Sequence, residues 1–168
     1  MLLILLTKHT NRGESIKNVE SLELAHYAQT YFGFGECILS YYGNILDFST
    51  MIDYTFKDSI LIEGSYTIHT KNFPSTFSKI KKFYTNQLGE PSYWATAFPD
   101  SSFQFKDTSE TKQCRGPELY WEYCNGFIGI ISEKYEDDIT ITILYAHNKT
   151  IAEYGKYLPF PREFHPLN

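Results

Sequence analysis

The chain has few of the residues from which reactive centres are assembled. Its 168 residues include three cysteines, Cys37, Cys114 and Cys124, with no CxxC among them. Structural zinc needs four close ligands, so that class is excluded. Free thiols in a reducing compartment are the simple reading, and a Cys114–Cys124 disulfide is the alternative. The five histidines, at 9, 26, 69, 147 and 165, show neither HxxxH nor HExxH spacing. GxSxG and P-loop patterns are absent, and Phe32-Gly-Phe-Gly35 lacks both the third glycine and the preceding strand of a dinucleotide fingerprint. The residues therefore imply no metal and no cofactor.

Long apolar runs are missing too. The longest, Leu2 to Leu6, has no basic start and no small-residue cleavage site. A signal peptide wants about 7–15 apolar residues and a spanning helix about 20. Residues 2–7 read as a buried strand, and the protein as cytoplasmic with no membrane partner. The sequon Asn148-Lys-Thr150 then has no meaning as a glycosylation site. Strong charge of either sign is lacking: the formal net charge is −5. That balance disfavours nucleic-acid binding and favours encounter with a basic partner.

Aromatic side chains are what the chain has in excess, with 14 Tyr, 13 Phe and 2 Trp. Tyrosine joins a large apolar ring to a polar tip, so it serves both cores and recognition surfaces. At 42% hydrophobic and 21% charged the composition is globular, and residues 1–168 form one domain, with 158–168 an irregular Pro-rich tail.

The periodicities alternate along the chain. Ile16, Val19, Leu22, Ala25, Ala28 and Phe32 recur at helical spacing, which predicts a helix over 16–32 stopped by Gly33 and Gly35. Strands are expected at 37–42 and 45–48 around a Gly43-Asn44 turn, then at 59–62 and 65–69 with a bulge at Gly64. Residues 49–58 fit either a strand or a helical turn. Pro74 opens a helix over 74–88 that places Phe77, Ile80, Tyr84 and Leu88 on one face, and Gly89 with Pro91 ends it. The other face is mostly lysine and asparagine, a solvated surface. A strand follows at 92–98, and residues 99–117 read as a long loop.

The strongest β signal comes next. Glu118–Cys124 and Phe127–Ile131 flank Asn125-Gly126, the preferred pair for a type I′ turn. That turn pairs Cys124 with Phe127, Tyr123 with Ile128, and Trp121 with Ile130. One hairpin face then carries Trp121, Tyr123, Ile128 and Ile130, and the other Tyr120, Cys124, Phe127 and Ile131. Both are apolar, so either both are covered or one awaits a partner. After Glu136-Asp137-Asp138, Ile139, Ile141, Ile143 and Tyr145 alternate with Thr140 and Thr142. A short helix is expected over 149–155. The fold class is α+β: a mainly antiparallel sheet, a meander in its C-terminal half, with two main helices packed on one side, helix 74–88 against Ile141 and Ile143.

The sites worth weighing are few. Glu133, Glu136, Asp137 and Asp138 form an acidic hairpin end beside Tyr120 and Tyr135. Clustered rim carboxylates next to aromatic rings suit a basic protein partner, although a polar turn explains the same residues. The alternative is a small α+β enzyme or small-molecule-binding protein, with an aromatic-lined pocket and acid–base groups drawn from His69, His147 and Glu122. Spatial convergence separates the two readings.

The run from Phe77 through Leu88-Gly89-Glu90-Pro91, then Trp94, Leu119-Tyr-Trp-Glu-Tyr, Phe127-Ile-Gly-Ile and Ile139–Tyr145, resembles a layout common in small bacterial proteins. In size, acidity and ring content the chain resembles immunity proteins of toxin–immunity systems, contact-dependent growth inhibition among them. The resemblance covers about residues 59–146 and implies a non-enzymatic cytosolic protein that binds and blocks one cognate toxin domain, often a nuclease.

Overall fold

The computed structural model describes residues 15–33, 35–95, 113–123, 126–135 and 138–147. Helix α1 (Ile16–Leu22) leads into strands β1 (His26–Gly33), β2 (Glu36–Ile45), β3 (Phe48–Lys57) and β4 (Ile60–Thr70). Helix α2 (Phe73–Leu88) then leads into β5 (Tyr93–Ala95), β6 (Gln113–Tyr123), β7 (Gly126–Tyr135) and β8 (Asp138–His147). All eight strands form one antiparallel sheet in the order β1-β2-β3-β4-β8-β7-β6-β5. Each half is thus a helix followed by a four-stranded meander, and the two meanders meet where β4 pairs with β8. The mainly antiparallel sheet with two helices agrees with the sequence reading.

The first helix is shorter than its periodicity implies. Ser15 caps it, its Oγ accepting from the Asn18 N–H at 3.4 Å. It ends at Leu22, and residues 26–33 are strand, not helix. The cause is tertiary. The Glu23 carboxylate accepts the Ala25 N–H at 2.7 Å and the Tyr54 hydroxyl, which turns the chain off the helix and ties it to β3. Tyr27, Thr30, Tyr31 and Phe32 are β-formers and then pair along β2.

The turns also move. Gly43-Asn44 lies inside β2, and the chain reverses at Leu46-Asp47 and again at Asp58-Ser59. All four of these turn residues have positive φ, between 50° and 68°, the condition for type I′ turns whose twist suits a hairpin. Residues 49–57, ambiguous in sequence, belong to β3, where Ile52, Tyr54 and Phe56 point inward. On β4 the register slips at Ile62, while Gly64 pairs regularly with Tyr54 and Tyr145. Residues 113–117, read as loop, are the start of β6. The strand expected over 2–7, the loop over 99–112, the helix over 149–155 and the tail 158–168 lie outside the described residues.

The clearest expectation is met by α2. Pro74 sits in its first turn, and Gly89, at φ 83°, donates its N–H to the Thr85 carbonyl at 2.9 Å. The buried stripe is Thr76, Ile80 and Tyr84, with Phe77 partly buried and Leu88 43% exposed. Ile80 and Tyr84 share one core with Val19 of α1 and with Ile141 and Ile143, so both helices cover the same, inner face of the sheet. At the other end of α2's solvated face, Lys79 meets Asp47 at 3.2 Å and lies over the Phe48 ring.

Tyrosines run through this core. Tyr41 packs edge-on to Tyr54, and Tyr66 to Tyr145, at 6.0 and 6.1 Å between centroids. The Tyr84 and Tyr145 hydroxyls bond to each other, and Trp121 Nε1 donates to the Gly89 carbonyl at 2.8 Å. The Tyr54, Tyr84, Tyr145 and Trp121 tips thus have polar partners at little cost in packing.

Candidate functional site

The hairpin β6–β7 keeps the expected division of faces, with its register shifted by two residues: Trp121 opposes Ile128, Leu119 opposes Ile130, and Glu122 opposes Phe127. Trp121, Ile128 and Ile130 enter the inner core. The outer face of this half, which no described helix covers, carries a second cluster of Tyr120, Phe127, Leu144 and Ala146, with Tyr93 and Ile131 against it. Gly129 makes room for it: a Cβ there would come within 2.9 Å of the Tyr120 ring. Tyr120 donates its hydroxyl to Glu118 Oε2 at 2.9 Å and is 5% exposed, so this candidate anchor is not presented to solvent.

The acidic end of β7–β8 is open by contrast. Glu133 opposes Thr140 on the outer face and is half-buried, while Asp138 is exposed and binds His69 Nδ1 at 2.7 Å across β4–β8. Tyr135 is described through its backbone, which pairs with Asp138. Glu136 and Asp137 lie outside the described residues. Tyr120 stands level with Leu144, four positions from Thr140, so roughly 14 Å of strand separates it from Glu133. The structure therefore brings Glu133, Asp138 and His69 together and leaves Tyr120 apart.

The acid–base candidates do not meet. Glu122 is exposed and level with Ala146; His69 is exposed and level with Thr140. Six positions of β8 part them, roughly 20 Å. His147 is placed by its backbone opposite Gly126, at the far end from His69. Among the described residues no group of three or more His, Cys, Asp or Glu side chains is arranged to hold a metal ion, and no helix is long and apolar enough to cross a membrane. Burial raises the Cys37 thiol above its usual range, with Glu20 adding to the effect, so it is held as a thiol and not as a nucleophile.

A second surface went unread in the sequence. On β1, on β2 and in the link before β1, the side chains of Leu24, Tyr27, Tyr31, Phe32 and Tyr42 are 54–89% exposed. They concentrate at the β1 edge of the sheet, whose outer side pairs with no described strand. The signal was the dense Tyr-Thr-Tyr-Phe composition of residues 27–32, masked by the helical spacing of Ala25, Ala28 and Phe32. Elsewhere on the outer face of this half Ile38 and Met51 stand among polar residues, and Ser40 donates to Asp53 Oδ1 at 2.5 Å. Compared with protein-family models, curated proteins and solved structures, the chain matches none.

Proposed function

We propose that the chain is a non-enzymatic binding protein of α+β class, an immunity-type inhibitor that acts in the cytoplasm by capturing one basic toxin domain. The observation that carries this reading is the dispersal of its titratable groups. Half-buried Glu133 and exposed Asp138 stand at one end of the sheet, while His69 and Glu122 are too far apart to share a substrate. Carboxylates held on paired strands present fixed acceptors to lysine or arginine, and the net charge of −5 steers a cationic partner toward them. Capture would then act by steric occlusion and charge neutralisation at the toxin's own site. His69 would release Asp138 to the incoming cation, since both side chains are more than half exposed.

The test is co-expression with the C-terminal domain of the protein encoded by the adjacent reading frame. The expected result is protection of the host and a 1:1 complex that survives purification. The double variant Glu133→Lys, Asp138→Lys should abolish both while leaving the fold intact by circular dichroism. Failure of the unaltered chain to protect or to co-purify removes the proposal.

A further inference from the structure

We infer that the outer edge of β1, which no described strand covers, is a self-association site, at which a second copy of this chain adds its own β1 antiparallel to extend the sheet across a two-fold axis. The two edges of the sheet differ in a way that points there. β5 is three residues long, and brevity is one of the ways in which proteins blunt an edge. β1 is eight residues long and contains no Lys, Arg, Asp, Glu or Pro. Its one irregularity, between Tyr27 and Gln29, leaves Gln29–Gly33 in unbroken register with β2.

That stretch is self-complementary. A two-fold axis through Tyr31 sets Tyr31 against the same residue of the second copy, Thr30 against Phe32, and Gln29 against Gly33. The faces agree. Thr30 and Phe32 stand opposite Leu39 and Cys37 on the inner side, and Tyr31 opposite Ile38 on the outer side. Aromatic–aromatic and aromatic–β-branched neighbours are the favourable cross-strand pairs.

Charge chooses between occupants. A basic partner is drawn to carboxylates, and the strand offers none; Glu36 lies one strand inside at the hairpin end, and Glu23 lies before the strand begins, occupied by the Ala25 N–H and the Tyr54 hydroxyl. Two chains of charge −5 can approach only through a neutral surface, which this is. Area is sufficient. Tyr27, Tyr31, Phe32 and Tyr42 are 54, 54, 74 and 57% exposed. With aromatic side chains burying about 150–250 Å² each, they leave roughly 500 Å² per copy. Complete burial of these rings in a pair would reach on the order of 1,000 Å², the lower bound of a specific interface, with Tyr31 and Phe32 at its centre.

Sedimentation of the full chain tests this. The unaltered protein should sediment at twice its 19.6 kDa at micromolar concentration. Tyr31→Lys and Tyr31→Glu should each halve that mass with an unchanged circular dichroism spectrum, and an equimolar mixture of the two should restore it. If the Tyr31 variants fail to fold, Phe32→Lys replaces them. Amides of Gln29–Gly33 in the unaltered chain should gain exchange protection as concentration rises. A chain that stays at 19.6 kDa, or variants that keep the doubled mass, overturns the inference. So does a monomer that dimerises only after residues 1–14 are deleted, which would give the edge to the chain's own N-terminal segment. Loss of toxin capture by Tyr31→Lys in a monomeric chain would give it to that partner, and overturns the inference equally.

Discussion

The N-terminal meander lays Tyr41, Tyr54 and Tyr66 across its inner face, where the C-terminal meander lays Leu119, Ile128, Ile130, Ile141 and Ile143. Behind the tyrosines, the outer face carries hydroxyl and carboxylate groups bonded to one another, as at Ser40 and Asp53. Behind the aliphatic layer, the outer face is apolar again, built from Tyr120, Phe127, Leu144 and Ala146. The N-terminal half is tied through ring tips, Tyr54 to Glu23 above all; the C-terminal half is held mainly by its aliphatic layer, with the Tyr145 and Trp121 tips bonded to α2 and its cap. The same order of elements can therefore be stabilised in two ways. The polar-tipped way carries a dependence on protonation that the aliphatic way does not.

Alkaline unfolding gives the largest expected effect. Burial raises the Tyr54, Tyr66 and Tyr84 hydroxyls far above 10.0, with the Glu23 carboxylate adding to the first two, while the Tyr145 bond slightly opposes it at Tyr84. Below pH 10 these groups are protonated in both states and their stabilisation is complete. Above it the unfolded chain releases protons that the folded chain keeps. Stability then falls by about 1.4 kcal/mol per group per pH unit, about 4 kcal/mol for the three. Denaturant unfolding on either side of pH 10 measures the slope. Amide exchange should show β2–β4 loosening before β6–β8, and simultaneous loss would break the comparison.

Ile143→Ala comes second. Ile143 is fully buried on β8, between Tyr66 and Ile130. Removing its methyl and methylene groups should cost about 3 kcal/mol at any pH, read from the shift of the denaturation midpoint. A cost that grew with alkali would mean that the aliphatic half is not independent of protonation. Ser132→Ala is the smallest and has the opposite sign. Ser132 is 1% exposed on β7, and its Oγ is without a hydrogen-bond partner among the described residues. Alanine should stabilise by about 1 kcal/mol in a thermal melt, because the desolvated hydroxyl is removed with little change of shape.

How much was legible follows the same division. In the C-terminal half the alternation of Ile139–Tyr145, the division of faces in β6–β7 and the Gly89 stop on α2 were readable, because two-residue periodicity and a glycine at positive φ leave local marks. In the N-terminal half the true turns, Leu46-Asp47 and Asp58-Ser59, contain no glycine, so the misleading Gly43-Asn44 took their place. β1 was read as helix because small alanines at helical spacing matched a pattern that pairing with β2 overrode. The acidic end was legible as Glu133 and Asp138. The burial of Tyr120 was not, since sequence shows that a face is apolar without showing that it is covered.

The seam between β4 and β8 has a kinetic consequence. It joins residues as far apart in the chain as His69 and Asp138, separated by 69 positions. Such closure is entropically expensive, and topologies dominated by distant pairings reach the native state in milliseconds to seconds. On a ribosome, the finished first meander would wait with β4 uncovered until the last strand emerged. The nascent chain is thus most vulnerable to misassembly along that inner edge, which the mature molecule conceals at its centre.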